Sequence, residues 1–445
     1  MKIKTILPAT VIALLALAAV PVAPSAPDFS PLTATLTPGI WRGEFTVNED
    51  KVPFNFELKG DQLIVHNGSR RDTFPVRQQA DGQIFVGMNT YDAALIARIE
   101  SPGRLVGQYT SLLPKLKSGA LPFVAEAGKD WRFVEPGHDV APKADLTGKW
   151  NIHSITKDLG STDQVGLLKQ EGNRLTGVIM TVVGDSRELE GTVQGDQFFL
   201  SGFSGPSPFF VKGRITEDGT LDGAIELGIY RNIKIEARKR DTDLPDPYKL
   251  TYLKDGRKTI DFSFPDLTGK IVSPHDEKYR GKVTIIEIIG SWCPNCTDQT
   301  RFLAPWFAAN RQRGVEAIAV GFEQEDNFAY AQKTLGKLKD FFGIQYDIVF
   351  GGINDKKIAT QKLDGLNFMA AFPTTIILDR KGEVREIYTG YTGTVTGKYY
   401  DDYVKKFNQL LDQLIAEPDP YAAAPRQASA PAASAVNDAV LAAVP

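Results

Sequence analysis

Residues 290–296 read Gly290-Ser291-Trp292-Cys293-Pro294-Asn295-Cys296, and they follow an apolar run, Val283 to Ile289, that only Thr284 and Glu287 interrupt. The two cysteines of the 445-residue chain are both in this stretch. The apolar run predicts a buried strand, and the segment from Thr297 to Arg313 predicts a helix. A lone pair of cysteines two residues apart is weak evidence, but the same pair at a strand-to-helix junction indicates redox chemistry.

The predicted position of Cys293 offers a way to activate its thiol. Exchange with a disulfide requires a thiolate, and the N–H groups and dipole at a helix N-terminus favour negative charge. Cys296 is expected about one helical turn further on, close enough to form or open a disulfide with Cys293. Pro294 suits a first helical turn because its missing N–H would have no partner there.

Three other interpretations of the cysteine pair compete with the redox one. A structural zinc site needs about four ligands, and the sequence contains no second cysteine pair and no histidine pair. We therefore expect no metal, and nothing in the sequence indicates another cofactor. A purely structural disulfide would close a very short loop and stabilise the fold little. Two inert thiols are uncommon in an oxidising compartment.

Composition and the two ends of the chain indicate an exported multidomain protein. The chain is 42% hydrophobic and 24% charged, as in ordinary globular proteins, and its net charge of −3 argues against a nucleic-acid partner. Residues 1–26 predict an export signal, because two lysines precede an apolar core and small residues follow it. Retention of this segment as a membrane anchor is the alternative. Residues 417–445 are rich in Ala, Pro and Ser and predict a disordered tail.

Residues 31–240 predict all-β structure, because short alternating runs are separated by Gly, Asn, Asp and Pro. Four motifs recur in the same order and divide the region into two similar sandwich-like or barrel-like units, 31–140 and 144–240. Duplication and chance similarity of β-turns both explain this recurrence. The matched motifs are Gly39-Ile40-Trp41 with Gly148-Lys149-Trp150, Leu58 to Leu63 with Leu168 to Leu175, Gly82 to Phe85 with Gly195 to Phe199, and Leu105-Val106-Gly107 with Leu221-Asp222-Gly223.

After a polar, proline-rich linker at 241–247, predicted strands alternate with predicted helices. This alternation implies an α/β domain at residues 255–416, with a mostly parallel sheet covered on both faces. The predicted strands are 283–289, 315–322, 374–378 and 384–388, and the predicted helices are 297–313, 327–342 and 399–414.

Three motifs of this domain carry a family resemblance. They are Trp292-Cys293-Pro294-Asn295-Cys296, the lead-in from Asp261-Phe262 to Leu267, and Phe372-Pro373-Thr374-Thr375 before a strand. With them, residues 255–416 resemble the thioredoxin-fold domain of the TlpA and ResA-like thiol–disulfide oxidoreductases of bacterial envelopes. The β region is similar, much more weakly, to N-terminal domains that precede such modules.

The resemblance implies a role for each candidate site residue. Cys293 matches the exposed nucleophile and Cys296 the buried resolving thiol, with a reversible disulfide between them. Pro373 matches a cis-proline beside the dithiol, and the backbone of Phe372 matches the part that pairs with a bound peptide. Trp292 is expected at the same substrate surface. Glu287 matches a buried acid with a raised pKa that exchanges a proton with Cys296.

Two departures from the family pattern concern geometry. The first proline after Pro294 is Pro305, later than in many family members, so the kink of the helix is expected to be moved or absent. Phe372 is bulkier than the usual residue before the cis-proline, which is expected to narrow the substrate groove.

The resemblance implies an exported enzyme that reduces protein disulfides in the periplasm or cell envelope. Its partners would be protein thiols or disulfides and an upstream envelope electron donor, and the β region would dock partners or anchor the protein. A peroxiredoxin-like thiol peroxidase is one alternative, although Trp292 and the nearby Cys296 argue against it, because such enzymes normally present a T-x-x-C loop. A non-catalytic envelope binding protein built on a thioredoxin scaffold is the other.

Overall fold

The computed structural model describes residues 29–30, 36–113, 119–156, 160–228 and 231–421. The predicted export signal lies outside these residues, as does most of the predicted tail. In the part of the chain that is described, no helix is both long and apolar enough to cross a membrane.

The first β unit is an antiparallel sheet in which eight consecutive strands, β2 to β9, close into a barrel. Each strand pairs with the next, and the last pairs with the first, with Phe45 opposite Phe123. Inward residues such as Trp41 and Phe45 are fully buried, as the alternation of the sequence predicts. The strands are β1 (Phe29–Ser30, outside the ring), β2 (Gly39–Val47), β3 (Asp50–Lys59), β4 (Gln62–Asn67), β5 (Arg70–Gln79), β6 (Ile84–Gly87), β7 (Ala93–Ser101), β8 (Arg104–Ser111) and β9 (Leu121–Ala127).

The second β unit repeats this topology, because eight of its strands also close into an antiparallel ring. The extra short strand β13 forms a hairpin with β12, and its turn projects from the barrel. The strands are β10 (Gly148–Thr156), β11 (Gly160–Glu171), β12 (Arg174–Thr181), β13 (Gly184–Asp185), β14 (Leu189–Gln194), β15 (Gln197–Phe203), β16 (Pro208–Ile215), β17 (Leu221–Leu227) and β18 (Arg231–Lys239).

The four repeated motifs occupy equivalent places in the two rings. Trp41 lies in the first strand of its barrel and Trp150 in the first strand of the other. Each indole Nε1 donates a 2.8 Å hydrogen bond to the carbonyl four residues earlier, that of Thr37 in one barrel and Leu146 in the other. The predicted fold class, two similar β units before an α/β domain, is therefore confirmed.

The C-terminal α/β unit is built on a five-stranded sheet in the order β23-β22-β21-β24-β25. The prediction of a mostly parallel sheet was wrong, because β24 and β25 pair antiparallel with their neighbours. Only a short turn links those two strands, so the chain cannot cross over to run parallel. The elements are β19 (Phe264–Pro265), β20 (Ile271–Val272), β21 (Val283–Ile289), α1 (Pro294–Asn310), β22 (Val315–Glu323), α2 (Phe328–Phe342), β23 (Asp347–Ile353), α3 (Lys356–Lys362), β24 (Thr374–Leu378), β25 (Val384–Thr389) and α4 (Lys398–Ala416).

Strand β21 and helix α1 together carry the cysteine stretch. Every residue of β21 is buried, as expected for a central strand covered on both faces. Helix α1 begins at Pro294, three residues earlier than predicted, because Cys293 caps it. Pro305 lies inside α1. The helix packs on α4 through edge-to-face contacts of Phe302 and Trp306 with Phe407.

Candidate active site

The two cysteines lie at the junction of β21 and α1, as free thiols. Cys293 has extended backbone angles and is the N-cap of α1, and its Sγ accepts a 3.3 Å hydrogen bond from the N–H of Cys296. The sulfur of Cys293 therefore lies at the positive end of the α1 dipole. Cys296 occupies the first turn of the helix, as its spacing predicts.

The predicted substrate residues gather around Cys293. The Phe372–Pro373 peptide bond is cis, and the thiol of Cys293 donates to the carbonyl of Phe372 at 3.6 Å. The Phe372 ring lies edge-on to Trp292, with centroids 5.8 Å apart. Trp292 in turn is held by a 2.8 Å bond from its Nε1 to the carbonyl of Phe322. A backbone carbonyl and two aromatic rings therefore lie beside the thiol of Cys293.

Glu287 lies on β21, six residues before Cys293, and is completely buried. Its Oε1 accepts a 2.6 Å hydrogen bond from the hydroxyl of Tyr346, and no donor among the described residues reaches Oε2. Burial raises the pKa of Glu287 to about 7, although the bond from Tyr346 opposes the rise. A carboxyl with this pKa can take up or release a proton near neutral pH.

The thiol of Cys296 is almost completely buried. Burial raises its pKa well above the ordinary value, and the neighbouring Cys293 and Glu287 add to the rise. Cys296 is therefore protonated until a base accepts its proton, and Glu287 is a buried carboxyl close enough to influence it.

Two further residues of the site were not predicted from the sequence. Glu323 ends β22 and is fully buried; it accepts bonds from the N–H and hydroxyl of Ser291, at 2.9 and 2.6 Å, and a third from Thr334 at 3.0 Å. Burial raises the pKa of Glu323 to about 7. It fixes the loop that leads into Cys293. The sequence signal was present, because Glu323 closes an apolar run much as Glu287 interrupts one. Tyr346, the second missed residue, carried no such signal.

The prediction that Cys293 is exposed was wrong, since the residue is only 5% exposed. The β region contacts the first turn of α1, where the side chain of Arg187 reaches the carbonyl of Pro294 at 2.8 Å. The sequence alone does not reveal contacts between distant segments, so it gives no sign that a barrel lies against the segment around the two cysteines.

Comparison with known proteins is informative for the C-terminal unit. Residues 256–387 match the model of the AhpC/TSA family. The thiol-disulfide oxidoreductase ResA of Geobacillus kaustophilus is 29% identical over 138 residues, which cover 30% of this chain and 69% of that protein. ResA of Bacillus thuringiensis is 25% identical over 186 residues, covering 42% and 90%. A solved thiol:disulfide interchange protein of the thioredoxin family from Chlorobium tepidum aligns with 36% of this chain and 99% of its own, at 18% identity and a TM-score of 0.28.

Proposed function

We propose that the protein is a thiol–disulfide oxidoreductase that acts through Cys293 and Cys296. The C-terminal unit supports this proposal, because it is a thioredoxin-like domain of the AhpC/TSA family related to ResA. The observation that carries the proposal is the position of Cys293, as N-cap of α1, with its sulfur against the Phe372 carbonyl. The reaction is the reduction of a disulfide in a partner.

In the first step, the thiolate of Cys293 attacks one sulfur of the partner disulfide. A mixed disulfide forms, and the other partner sulfur leaves as a thiolate. In the second step, Cys296 gives its proton to Glu287 and attacks the sulfur of Cys293. The Cys293–Cys296 bond forms, and the second partner sulfur leaves, so that two electrons have passed to the partner.

The other site residues position these groups. Trp292 and the main chain of Phe372, next to Pro373, offer the surface on which the partner's chain lies. Glu323 keeps the loop before Cys293 in place through Ser291. The oxidised site is reset by a dithiol donor.

The cellular setting belongs to the same proposal. The predicted export signal and the kinship with ResA support export to the periplasm or cell envelope, with protein disulfides as substrates and an envelope donor of electrons. The units 31–140, 144–240 and 255–416 are the proposed domains, and residues 417–445 the proposed tail.

The test is a single turnover of the fully reduced protein with a small aromatic disulfide such as 5,5′-dithiobis(2-nitrobenzoate). We expect two equivalents of released thiolate for each protein molecule and a new Cys293–Cys296 disulfide found by peptide mapping. Cys293→Ser should lose this reaction. Wild-type protein that leaves the probe intact, or turnover of hydrogen peroxide at a higher rate than that of the disulfide, would contradict the proposal.

A further inference from the structure

A turn of the second barrel lies directly on the residues around the dithiol. This cover turn, residues 182–185, consists of the two residues after β12 and the short strand β13. A β-carbon placed on Gly184 would lie 1.8 Å from Nδ2 of Asn295, the residue between Pro294 and Cys296. A β-carbon on Gly390 would lie 2.6 Å from the carbonyl carbon of Val183. Glycine at position 390 lets two main chains approach this closely, and glycine at position 184 leaves room for the side chain of Asn295.

Polar contacts hold the cover turn in place. Asp185 accepts a 2.6 Å hydrogen bond from the N–H of Gly393. Just after the turn, Arg187 donates to the carbonyl of Pro294 at 2.8 Å and to the hydroxyl of Thr297 at 2.9 Å. The backbone of Arg187 has φ +62, a left-handed conformation that is uncommon for a residue with a side chain. This conformation directs the side chain of Arg187 toward the first turn of α1.

Asp298 on α1 forms ion pairs with arginines from both barrels. Its carboxylate pairs with Arg187 at 2.8 Å and with Arg70, from β5 of the first barrel, at 3.0 Å. Tyr91 of the first barrel adds a 2.8 Å hydrogen bond to Thr297. Although burial opposes ionisation, the two arginines hold the pKa of Asp298 below its ordinary value. The attachment is thus charged near neutral pH.

The attachment is mainly polar rather than a shared hydrophobic core. The buried apolar residues of the first barrel and those of the α/β unit form separate clusters. The second barrel makes a small apolar contact, in which Met180 packs with Val395 and Tyr399. Polar contacts between domains are the kind that allow the domains to separate.

Access to the sulfur of Cys293 follows from this arrangement. With the turn in place, Cys293 is 5% and Phe372 9% exposed. Attack on a disulfide requires the partner's sulfur to reach Cys293 directly. A small or extended disulfide needs little room for this. A disulfide on a folded protein is surrounded by a broad surface. That surface would contact Val183 and Gly184 before the disulfide reached Cys293.

We propose that the cover turn determines the substrate range of the dithiol. When the cover turn lies against α1, small disulfides and flexible peptide disulfides can reach Cys293. Disulfides on folded surfaces are excluded from Cys293 until the barrel moves away from α1. This inference rests on the proposed function and names the substrate class that the site accepts.

The test compares two oxidised substrates with the reduced, full-length protein: the small aromatic disulfide used above and a folded protein with one surface disulfide. Arg187→Gln and, separately, Asp185→Ala weaken the attachment at different contacts. Arg104→Gln is the matched control, because its ion pairs with Glu100 and Glu126 lie within the first barrel. Loss of a hydrogen bond to a buried charged group should raise the equilibrium constant for separation of the barrel from α1 by about tenfold or more. We expect each weakening variant to raise the rate with the folded substrate, relative to the small one, by about tenfold.

Native alkylation of Cys293 supplies a second readout that does not depend on turnover. The ratio of labelling by a polyethylene-glycol maleimide to labelling by N-ethylmaleimide should rise in both weakening variants and not in the control. Wild-type protein that treats both substrates or both maleimides alike would overturn the inference, as would unchanged ratios in both variants with unfolding midpoints showing them folded. Failure of every form to reduce the small disulfide would instead contradict the proposed function, and the alkylation ratio would still test the cover turn.

Discussion

The hydroxyl of Tyr346 donates a 2.6 Å hydrogen bond to Oε1 of Glu287. Glu287 lies on the central strand and Tyr346 just before β23, so one strand and two helices separate them along the chain. Tyr346 is itself buried and packs edge-on against Phe307 of α1, with centroids 5.2 Å apart. The proposed proton carrier is therefore held by a side chain that nothing in the cysteine motif specifies.

Tyr346→Phe should shift the pH dependence of the second chemical step. The lost hydrogen bond favours the ionised carboxylate, so its removal should raise the pKa of Glu287 further, by about one unit. The pH profile for closure of the Cys293–Cys296 bond, measured by stopped-flow after the mixed disulfide forms, should move to higher pH by that amount. Glu287→Gln in the same assay should remove the titration, and an unshifted profile for Tyr346→Phe would show that the bond does not act on the reaction.

Glu287→Gln should also flatten the pH dependence of stability. Folding raises the pKa of Glu287 from 4.5 to about 7, so the folded state holds this proton more tightly than the unfolded state. The resulting stability is fully present below pH 4.5 and is lost as the pH rises through 7, a change of roughly 3 kcal/mol. Urea unfolding between pH 5 and pH 8 should show a smaller decline for the variant. Glu277→Gln, at an exposed position, should retain the decline of the wild type.

Glu323→Leu should loosen the loop before Cys293. The substitution leaves the N–H and the hydroxyl of Ser291 without their acceptor, which costs on the order of 2 kcal/mol in unfolding free energy. Glu323→Gln retains an acceptor oxygen and should lose less. Equal unfolding midpoints for the Leu variant and the wild type would contradict this account of the loop.

Asp298→Asn should destabilise the protein more than most single substitutions. Arg187 has a 6% exposed side chain, and removal of its counter-charge leaves a buried cation without full compensation. The expected loss is on the order of 3 kcal/mol in the free energy of unfolding. Asp412→Asn breaks an exposed pair with Arg313 and should change the same quantity by less than about 1 kcal/mol. Similar losses of unfolding free energy for the two variants would contradict the claim that Asp298 compensates a buried charge on Arg187.

The sequence predicted those parts of the protein that depend on local pattern. The strand before Cys293 and the closeness of Cys296 follow from residues adjacent in the chain. The two β units followed from alternation and from repeated turns, and the burial of Glu287 followed from the isoleucines around it.

The parts that were missed depend on contacts between distant segments. The antiparallel placement of β24 depends on strand order, which hydrophobic pattern does not encode. Tyr346 reaches Glu287 only through the tertiary fold. Gly184 and Arg187 approach Asn295 and Pro294 from about a hundred residues earlier in the chain, as the 111-residue separation of Arg187 and Asp298 illustrates.

The most direct measurement of the central claim uses Cys296→Ser, which leaves Cys293 as the one thiol of the chain. Reduced variant protein is mixed with a disulfide-containing peptide, and intact mass is recorded under non-reducing conditions. We expect a stable adduct of one peptide thiol on Cys293, which dithiothreitol releases and which the Cys293→Ser/Cys296→Ser double variant does not form. No adduct on folded Cys296→Ser protein, while the wild type reduces the same peptide, would contradict the claim that Cys293 is the nucleophile and Cys296 the resolving thiol.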